Sequence, residues 1–412
     1  MELYYSFSVL IVLAAIFSYL NERFLRLPSS IGIMLIAMVV SIGLVISGSI
    51  FPDLFKNFTH LIAGVDFTEI LMGAMLNFLL FAGAIHVRLE DLKEQKIPVI
   101  VFSTFSVVIS TFVVGALLFY LLPLFHLEVP FLHCLLFGAL ISPTDPIAVL
   151  GILKQAKVPR SLETKVAGES LFNDGMAVVV FLLILQLANG EEVDLSFGNI
   201  VYLFIKEAIG GFVLGLLLGY VASNAMHKVD AHNVSVLITL AVVMGGYLLA
   251  QSQHISGPLA MVAAGLVVGN YGKSSRISSD TRDYLGKFWE LTDEVLNAIL
   301  FLFIGFELLL IPDLLDYTSI GLIAIVIVLF ARFISIGFPT LVIPFKEKFG
   351  KKTIVILVWG GLRGGVSIAL ALSVDPALNK ELLLSMTYFV VVFSILVQGM
   401  TVGKLTQRMQ NH

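Results

Sequence analysis

Charge is confined to short intervals between long apolar runs, and no other feature restricts the fold so strongly. Only 13% of the 412 residues are charged, against about 25% in ordinary soluble domains. Mean hydropathy is +0.98. A soluble chain this long needs charge to cover its exterior, and lipid removes that need. In the hydrocarbon layer every backbone amide needs a partner inside the protein, so the apolar runs are read as membrane-spanning helices. The net charge of -4, with no basic patch, gives no indication of nucleic acid as a partner. The single cysteine, Cys134, excludes an intramolecular disulfide and a cysteine-based zinc site. Met1 to Tyr5 carries Glu2 and no Lys or Arg, the reverse of a signal peptide's basic start. The first run is therefore expected to be a span.

A span needs about 20 mostly apolar residues. Thirteen intervals qualify: 4–20, 31–49, 67–87, 98–123, 131–153, 166–188, 200–226, 233–251, 257–271, 285–310, 317–344, 353–374 and 382–404. Basic residues orient them, because cytoplasmic loops collect Lys and Arg. Assigning alternate loops to the cytoplasm, starting after the first span, puts twenty of the 25 basic residues on that side. Two, Lys56 and Lys380, fall on the other, and Lys206, Arg332 and Arg363 lie inside spans. A miscounted span would reverse the bias partway along, and no reversal occurs. The expected topology has the N-terminus outside and the C-terminus in the cytoplasm. The loops are short, and only a stub follows Lys404, so no cytoplasmic regulatory domain is expected.

If the seventh span is a linker, six spans precede it and six follow in opposite orientation, the arithmetic of an inverted repeat. The fifth span is interrupted by Ser142-Pro143-Thr144-Asp145-Pro146 and the twelfth by Gly360-Gly361-Leu362-Arg363-Gly364-Gly365. Each break sits in the middle of the last three spans of its half. Paired breaks in matching positions are the best sequence pointer to a transporter's site.

Ionisable groups inside a span cost roughly 2.5–3.5 kcal/mol or more and are functional candidates. Asp145, Glu169, Asp174, Arg332 and Arg363 form the mid-membrane set, with Lys206 and Glu207 in the seventh span and Glu290, Asp293, Glu294 and Glu307 along the tenth. Pro143 and Pro146 each remove a backbone donor and prevent a continuous helix. The unwound backbone exposes carbonyl oxygens, hard ligands suited to a small alkali cation. Thr144 offers a carbonyl or hydroxyl. Asp145 is either a ligand or a counter-charge to half-helix N-termini. A kink with a structural cap is the plainer alternative, but a kink alone needs no carboxylate.

The sixth span carries Glu169-Ser170-Leu171-Phe172-Asn173-Asp174. Ser170 and Asp174 are four apart on one stripe, and Glu169 and Asn173 four apart on the next. A carboxylate shielded from bulk water can hold a proton or a cation, but not both. That exclusion is the minimum physics of an antiporter. A buried polar network that merely joins helices is the alternative. Arg332 needs an acidic partner, with Glu169 the first choice and Asp174 the second. Arg363 is expected to satisfy carbonyls freed at the breaks. Gly257, Gly265 and Gly269 suit close helix packing. The acids of the tenth span either line a cation-attracting funnel or form a solvated face, and His86, His227 and His232 are either pH sensors or ordinary surface histidines.

Thr144-Asp145-Pro146 on a broken span, Glu169 to Asp174 on the next, and the glycine–arginine break at 360–365 together resemble the sodium/proton antiporters of the NhaP/NHE type. The resemblance covers essentially the whole chain. It implies an all-α membrane fold of about thirteen helices, two six-helix inverted repeats with crossed discontinuous helices. It implies a homodimer in lipid, with a dimerisation subdomain at about 1–90 and 233–310, a core at about 98–188 and 317–404, and a linker helix at about 200–226. The core would move against the dimer subdomain like an elevator. Carried over residue by residue, Asp174 looks like the essential ion- and proton-carrying carboxylate. Thr144, Asp145 and Ser170 look like auxiliary ligands, and Glu169 and Arg332 a stabilising pair with Asn173 beside them. Electrogenic relatives have two aspartates where this chain has Asn173-Asp174, and a lysine near Arg332, so the chain resembles the electroneutral branch.

The expected function is exchange of Na+, or Li+ or K+, for H+ across the plasma (inner) membrane, in the service of pH homeostasis, with no cofactor and no enzymatic activity. An organic-anion transporter and a cation channel are the alternatives. Clustered acids oppose the first, and the absence of a filter-like repeat opposes the second.

Overall fold

The computed structural model describes residues 2–48, 59, 67–145, 160–190, 196–229, 231–271, 278–309, 311, 314, 316–345 and 349–410. Pro146 and the rest of the fifth span to 153 lie outside them, as do the orienting residues Lys56, Lys154, Lys157, Lys273, Arg276, Lys346 and Lys348. Among the described residues the chain is helical, without strands. Helix α1 (Glu2–Leu20) continues through a π-helical turn (Asn21–Leu25) to α2 (Ser29–Gly48). A short entry (Phe67–Ile70) and a π turn (Leu71–Met75) lead into α3 (Leu76–Ile85), followed by α4 (Leu89–Glu94), α5 (Lys96–Leu121) and α6 (Phe131–Leu140). Then come α7 (Arg160–Ala188), α8 (Phe197–Val229), α9 (His232–Ser252), α10 (Gly257–Tyr271), α11 (Ser279–Glu307) and α12 (Thr318–Val342). The last are α13 (Lys351–Trp359), α14 (Gly365–Leu372), α15 (Lys380–Phe393) and α16 (Gly399–Gln410).

Within the described residues, helix occupies every apolar interval read from the sequence. Among the described residues, eight helices are long and apolar enough to cross a membrane. Large apolar side chains such as Ile16, Leu217, Leu237 and Val326 point outward, as a lipid-facing exterior requires. The tenth interval begins earlier than its apolar pattern, because Ser278 caps α11: its Oγ accepts the Thr281 N–H at 3.3 Å.

Two packing sets are visible. In one, α5 lies against α6, α7 and α12, while α15 joins α12 to α14. In the other, α10 lies between α8 and α3, and α11 packs on α2 and α3. Close approach in the second set depends on a glycine stripe, Gly211, Gly215 and Gly219, on α8. A methyl at Gly215 would overlap the Ala260 carbonyl of α10, and one at Gly211 the Ser256 carbonyl. Stacked small residues of this kind bring helix backbones together where lipid supplies no hydrophobic drive. Gly265 and Gly269 do the same between α10 and α3.

Candidate functional site

Two interruptions meet at the centre of the first set. α6 stops at Leu140, and Ser142 to Asp145 are non-helical. α13 stops at Trp359, Gly361 to Gly364 are non-helical, and α14 starts at Gly365. The stretches are tied to each other: the Asp145 N–H donates to the Leu362 carbonyl at 2.7 Å. Gly364 makes the crossing possible, since a Cβ there would stand 2.5 Å from Asp145 Oδ2.

A helix that ends inside a membrane leaves carbonyls without partners. Arginines meet this need at both breaks. Arg363, 2% exposed, donates through Nη1 to the Ser142 and Pro143 carbonyls beyond the end of α6. Its own N–H donates to Ser394 Oγ at 2.8 Å. Arg332 donates through Nη2 to the Leu357 carbonyl in the last turn of α13 at 3.2 Å. Gln398 Nε2 donates to the Trp359 carbonyl at 3.1 Å. A cation at a helix C-terminus also complements the negative end of the helix dipole. Arg332 has a second task, an ion pair through Nη1 with Glu169 Oε1 at 2.5 Å. Of the two acids available from sequence, the structure pairs Arg332 with Glu169, on α7. Both partners are buried, so each compensates a charge the other could not leave alone. Gly361 leaves room for the guanidinium, as a Cβ there would lie 2.6 Å from Nε.

Thr144 is the hub between the α6 break and α7. Its N–H donates to Asn173 Oδ1 at 3.3 Å, and its Oγ1 accepts from Asn173 Nδ2 at 2.7 Å. Its Oγ1 also shares a hydrogen bond with Ser170 Oγ at 2.9 Å. The amide orientation follows from the network, since only an oxygen can accept the Thr144 N–H. The two stripes on α7 are thereby divided by task. Glu169 and Asn173 hold the scaffold, while Asp174 faces a cavity.

That cavity is lined by Pro143, Asp145, Asp174 and the first turn of α14, Gly365 to Ser367. Its far wall belongs to the second packing set, with Leu76, Leu80 and Gly83 of α3 and Asp293, Asn297 and Leu300 of α11. Water-sized molecules have about 60 Å³ in which to move, enough for a small ion with a few waters. Asp145 and Asp174 lie within Coulombic range of each other, with Arg363 nearby. The cavity offers carboxylates and half-helix backbone in one shielded volume, which suits a cation and a proton in competition, while Thr144 and Ser170 are not among its lining residues and stand behind it on the α6 break and α7.

The structure brings Asp174, Asp145, Thr144, Ser170, Glu169, Asn173, Arg332 and Arg363 into one connected region. Lys206 and Glu207 stand apart on α8, where the Glu207 carbonyl accepts the Ser256 N–H. Of the acids in the tenth span, Asp293 lines the cavity, whereas Glu294 is exposed and Glu307 is buried near the helix end. Sequence reasoning missed Asn297, Ser367 and Ser394. Neutral polar residues carry no large membrane penalty, and the four-residue spacing from Asp293 is the one signal that could have found Asn297.

The sequence matches the family described as "Sodium/hydrogen exchanger, transmembrane" over residues 10–408. It is 48% identical over 406 residues to the Na(+)/H(+) antiporter NhaP of Pseudomonas aeruginosa, covering 97% of this chain and 95% of that one. It is 33% identical to the Na(+)/H(+) antiporter NhaH of Halobacillus dabanensis, covering 94% and 93% of the two chains. The fold is similar to that of the sodium proton antiporter MjNhaP1 from Methanocaldococcus jannaschii at pH 8. The TM-score is 0.79 over 100% of both chains, at 20% identity, a likeness of fold alone.

Proposed function

The chain belongs to the sodium/hydrogen exchanger family, and on that premise we propose that it exchanges a monovalent cation for H+ across the plasma (inner) membrane. Na+ is the first candidate substrate, with Li+ and K+ behind it. The reading rests on one observation above all: Asp174 and Asp145 line the same shielded cavity where two broken helices cross. Asp174 carries the cation or the proton in turn. Asp145, Thr144 and Ser170 assist as ligands. Glu169, Asn173, Arg332 and Arg363 hold the scaffold. Three carboxylates on one cavity, Asp145, Asp174 and Asp293, argue against an anionic substrate.

The finer points belong to the same proposal. Exchange is electroneutral, one cation per proton, because Asn173 is neutral and Glu169 is committed to Arg332. The core at about 98–188 and 317–404 moves past a dimerisation subdomain at about 1–90 and 233–310, with 200–226 as linker. The cavity lies between these two bodies, which supports an elevator-type alternation. Two copies of the chain form a dimer in lipid, with the N-terminus outside and the C-terminus in the cytoplasm.

The test uses purified protein in proteoliposomes with an imposed pH gradient and a pH-sensitive dye. Na+, Li+ or K+ collapses the gradient, choline does not, and Asp174→Asn abolishes the response. No response of the wild type to any alkali cation over a pH series refutes the proposal.

A further inference from the structure

The far wall of the cavity carries oxygens that the scaffold does not use. On α11, Asp293 and Asn297 are four residues apart and share a stripe facing the cavity. Asn297 is 4% exposed. Its Nδ2 donates to the Asp293 backbone carbonyl at 2.8 Å, so the nitrogen is tied back along the helix. Its Oδ1 is left buried, with no hydrogen-bond partner among the described residues, and so is Asp293 Oδ1. Across the cavity Ser367, 1% exposed on the first turn of α14, holds a buried Oγ in the same condition. A buried polar atom without a partner is costly to leave unmet. All three residues line the cavity that Asp174 and Asp145 also line, and the three atoms lie just behind its surface. Asp293 is within Coulombic range of Asp145.

The chemistry of the set is selective. It offers a carboxylate, an amide oxygen and a hydroxyl oxygen, with the amide nitrogen engaged by Asp293. An anion finds repulsion here, and an apolar ligand leaves the oxygens unmet. An alkali cation satisfies them, because hard cations take oxygen ligands. We propose that Asp293, Asn297 and Ser367 are specificity-determining ligands for the transported cation, contributed largely from the wall opposite Asp174. This rests on the reading that Asp174 carries the cation, and adds to it which groups set affinity and the order among alkali ions. Asp293 supplies charge that draws the ion from water. Asn297 and Ser367 replace part of its hydration shell. The tied-back amide fixes Asn297 Oδ1 in place, so the neutral ligand is preorganised and its geometry discriminates ionic radius.

Proteoliposome exchange gives the apparent KM and kcat for Na+, Li+ and K+ in the wild type, Asp293→Asn, Asp293→Glu, Asn297→Ala and Ser367→Ala. Asp293→Asn and Asn297→Ala raise the apparent KM for the preferred cation about tenfold, equivalent to ~1.4 kcal/mol, with a smaller change in kcat. Asn297→Ala also alters the ratio of KM values among the three ions, and Asp293→Glu recovers most of the lost affinity. Unaltered KM values and ion ratios in well-folded variants overturn the inference, because water alone then satisfies these oxygens. A fall in kcat at constant KM overturns it as well, since the wall would then affect movement and not the ion. If Asp293→Asn fails to fold, Asn297→Ala and Ser367→Ala carry the same test. Asp174→Asn run in parallel separates the two levels. Wild-type exchange by that variant refutes the parent reading, whereas an inactive Asp174→Asn beside an unaltered Asn297→Ala and Asp293→Asn refutes this inference alone.

Discussion

Replacing Arg332 with methionine keeps most of the side chain's volume and removes its charge. Two contacts disappear: the ion pair with Glu169 and the hydrogen bond to the Leu357 carbonyl. Glu169 is 1% exposed, so its charge is stranded away from water. Breaking a buried pair from one side costs about 3–5 kcal/mol, mostly the penalty of the uncompensated partner. The orphaned carbonyl adds about 1 kcal/mol. Glu169→Gln strands the guanidinium instead and costs a similar amount. In the double variant Glu169→Gln/Arg332→Met no charge is left to strand, so its loss should be well below the sum of the singles. The coupling energy is expected at about 2 kcal/mol or more. Thermal unfolding in mild detergent, followed by tryptophan fluorescence, reads the cycle as shifts in midpoint. The double variant is also expected to regain exchange that the singles lose, because in the proposed scheme the pair supports the site without touching the ion. Additive losses, with coupling under about 0.5 kcal/mol, would refute the argument.

Gly364→Ala sets a methyl 2.5 Å from Asp145 Oδ2, so it should displace that carboxylate and cost about 1–3 kcal/mol of stability, with a raised cation KM. Wild-type kinetics would show that Asp145 has no fixed place at the crossing. Asn173→Asp removes the Nδ2 donor to Thr144 and adds a carboxylate beside Ser170 and Asp174. A lower melting midpoint by about 1–3 kcal/mol in stability is expected, and an unchanged midpoint counts against the Thr144 hub. The proposed competition between proton and cation at one carboxylate fixes the sign of the pH effect. Protonation removes the ligand, so the apparent cation KM rises as pH falls, approaching about tenfold per unit below the site's own pKa. A KM independent of pH in proteoliposomes would separate the two binding events.

Much of this architecture is legible in the amino-acid sequence. The scarcity of charge dictates a lipid-facing helical protein. Pro143 announces one break and the glycines around Arg363 the other. Helical spacing then groups Glu169, Ser170, Asn173 and Asp174. Partnerships are harder to read. Arg332 has two acids within reach of argument, and the choice of Glu169 depends on how α12 crosses α7 and where α13 ends. The far wall is also hidden. Asp293 looks the same as the other acids of its helix, because sequence gives the spacing of a stripe but not which neighbour it faces. Gly211, Gly215 and Gly219 fall in a segment read as a linker, although their stripe sets how closely α8 lies on α10.

The arginine ties at the two breaks have a mechanical consequence. Each half-helix end is braced by a side chain from another element: α6 by Arg363, and α13 by Arg332 and Gln398. A joint braced in this way is stiff, because no single strut yields without uncovering a carbonyl in a medium that offers no substitute. The leucines facing it, Leu76, Leu80 and Leu300, hold their places by dispersion alone and have no bonds to surrender when they slip. Stiffness and slip are therefore built into adjoining surfaces: one holds the two breaks in register, and the other can shift its packing without giving up a hydrogen bond.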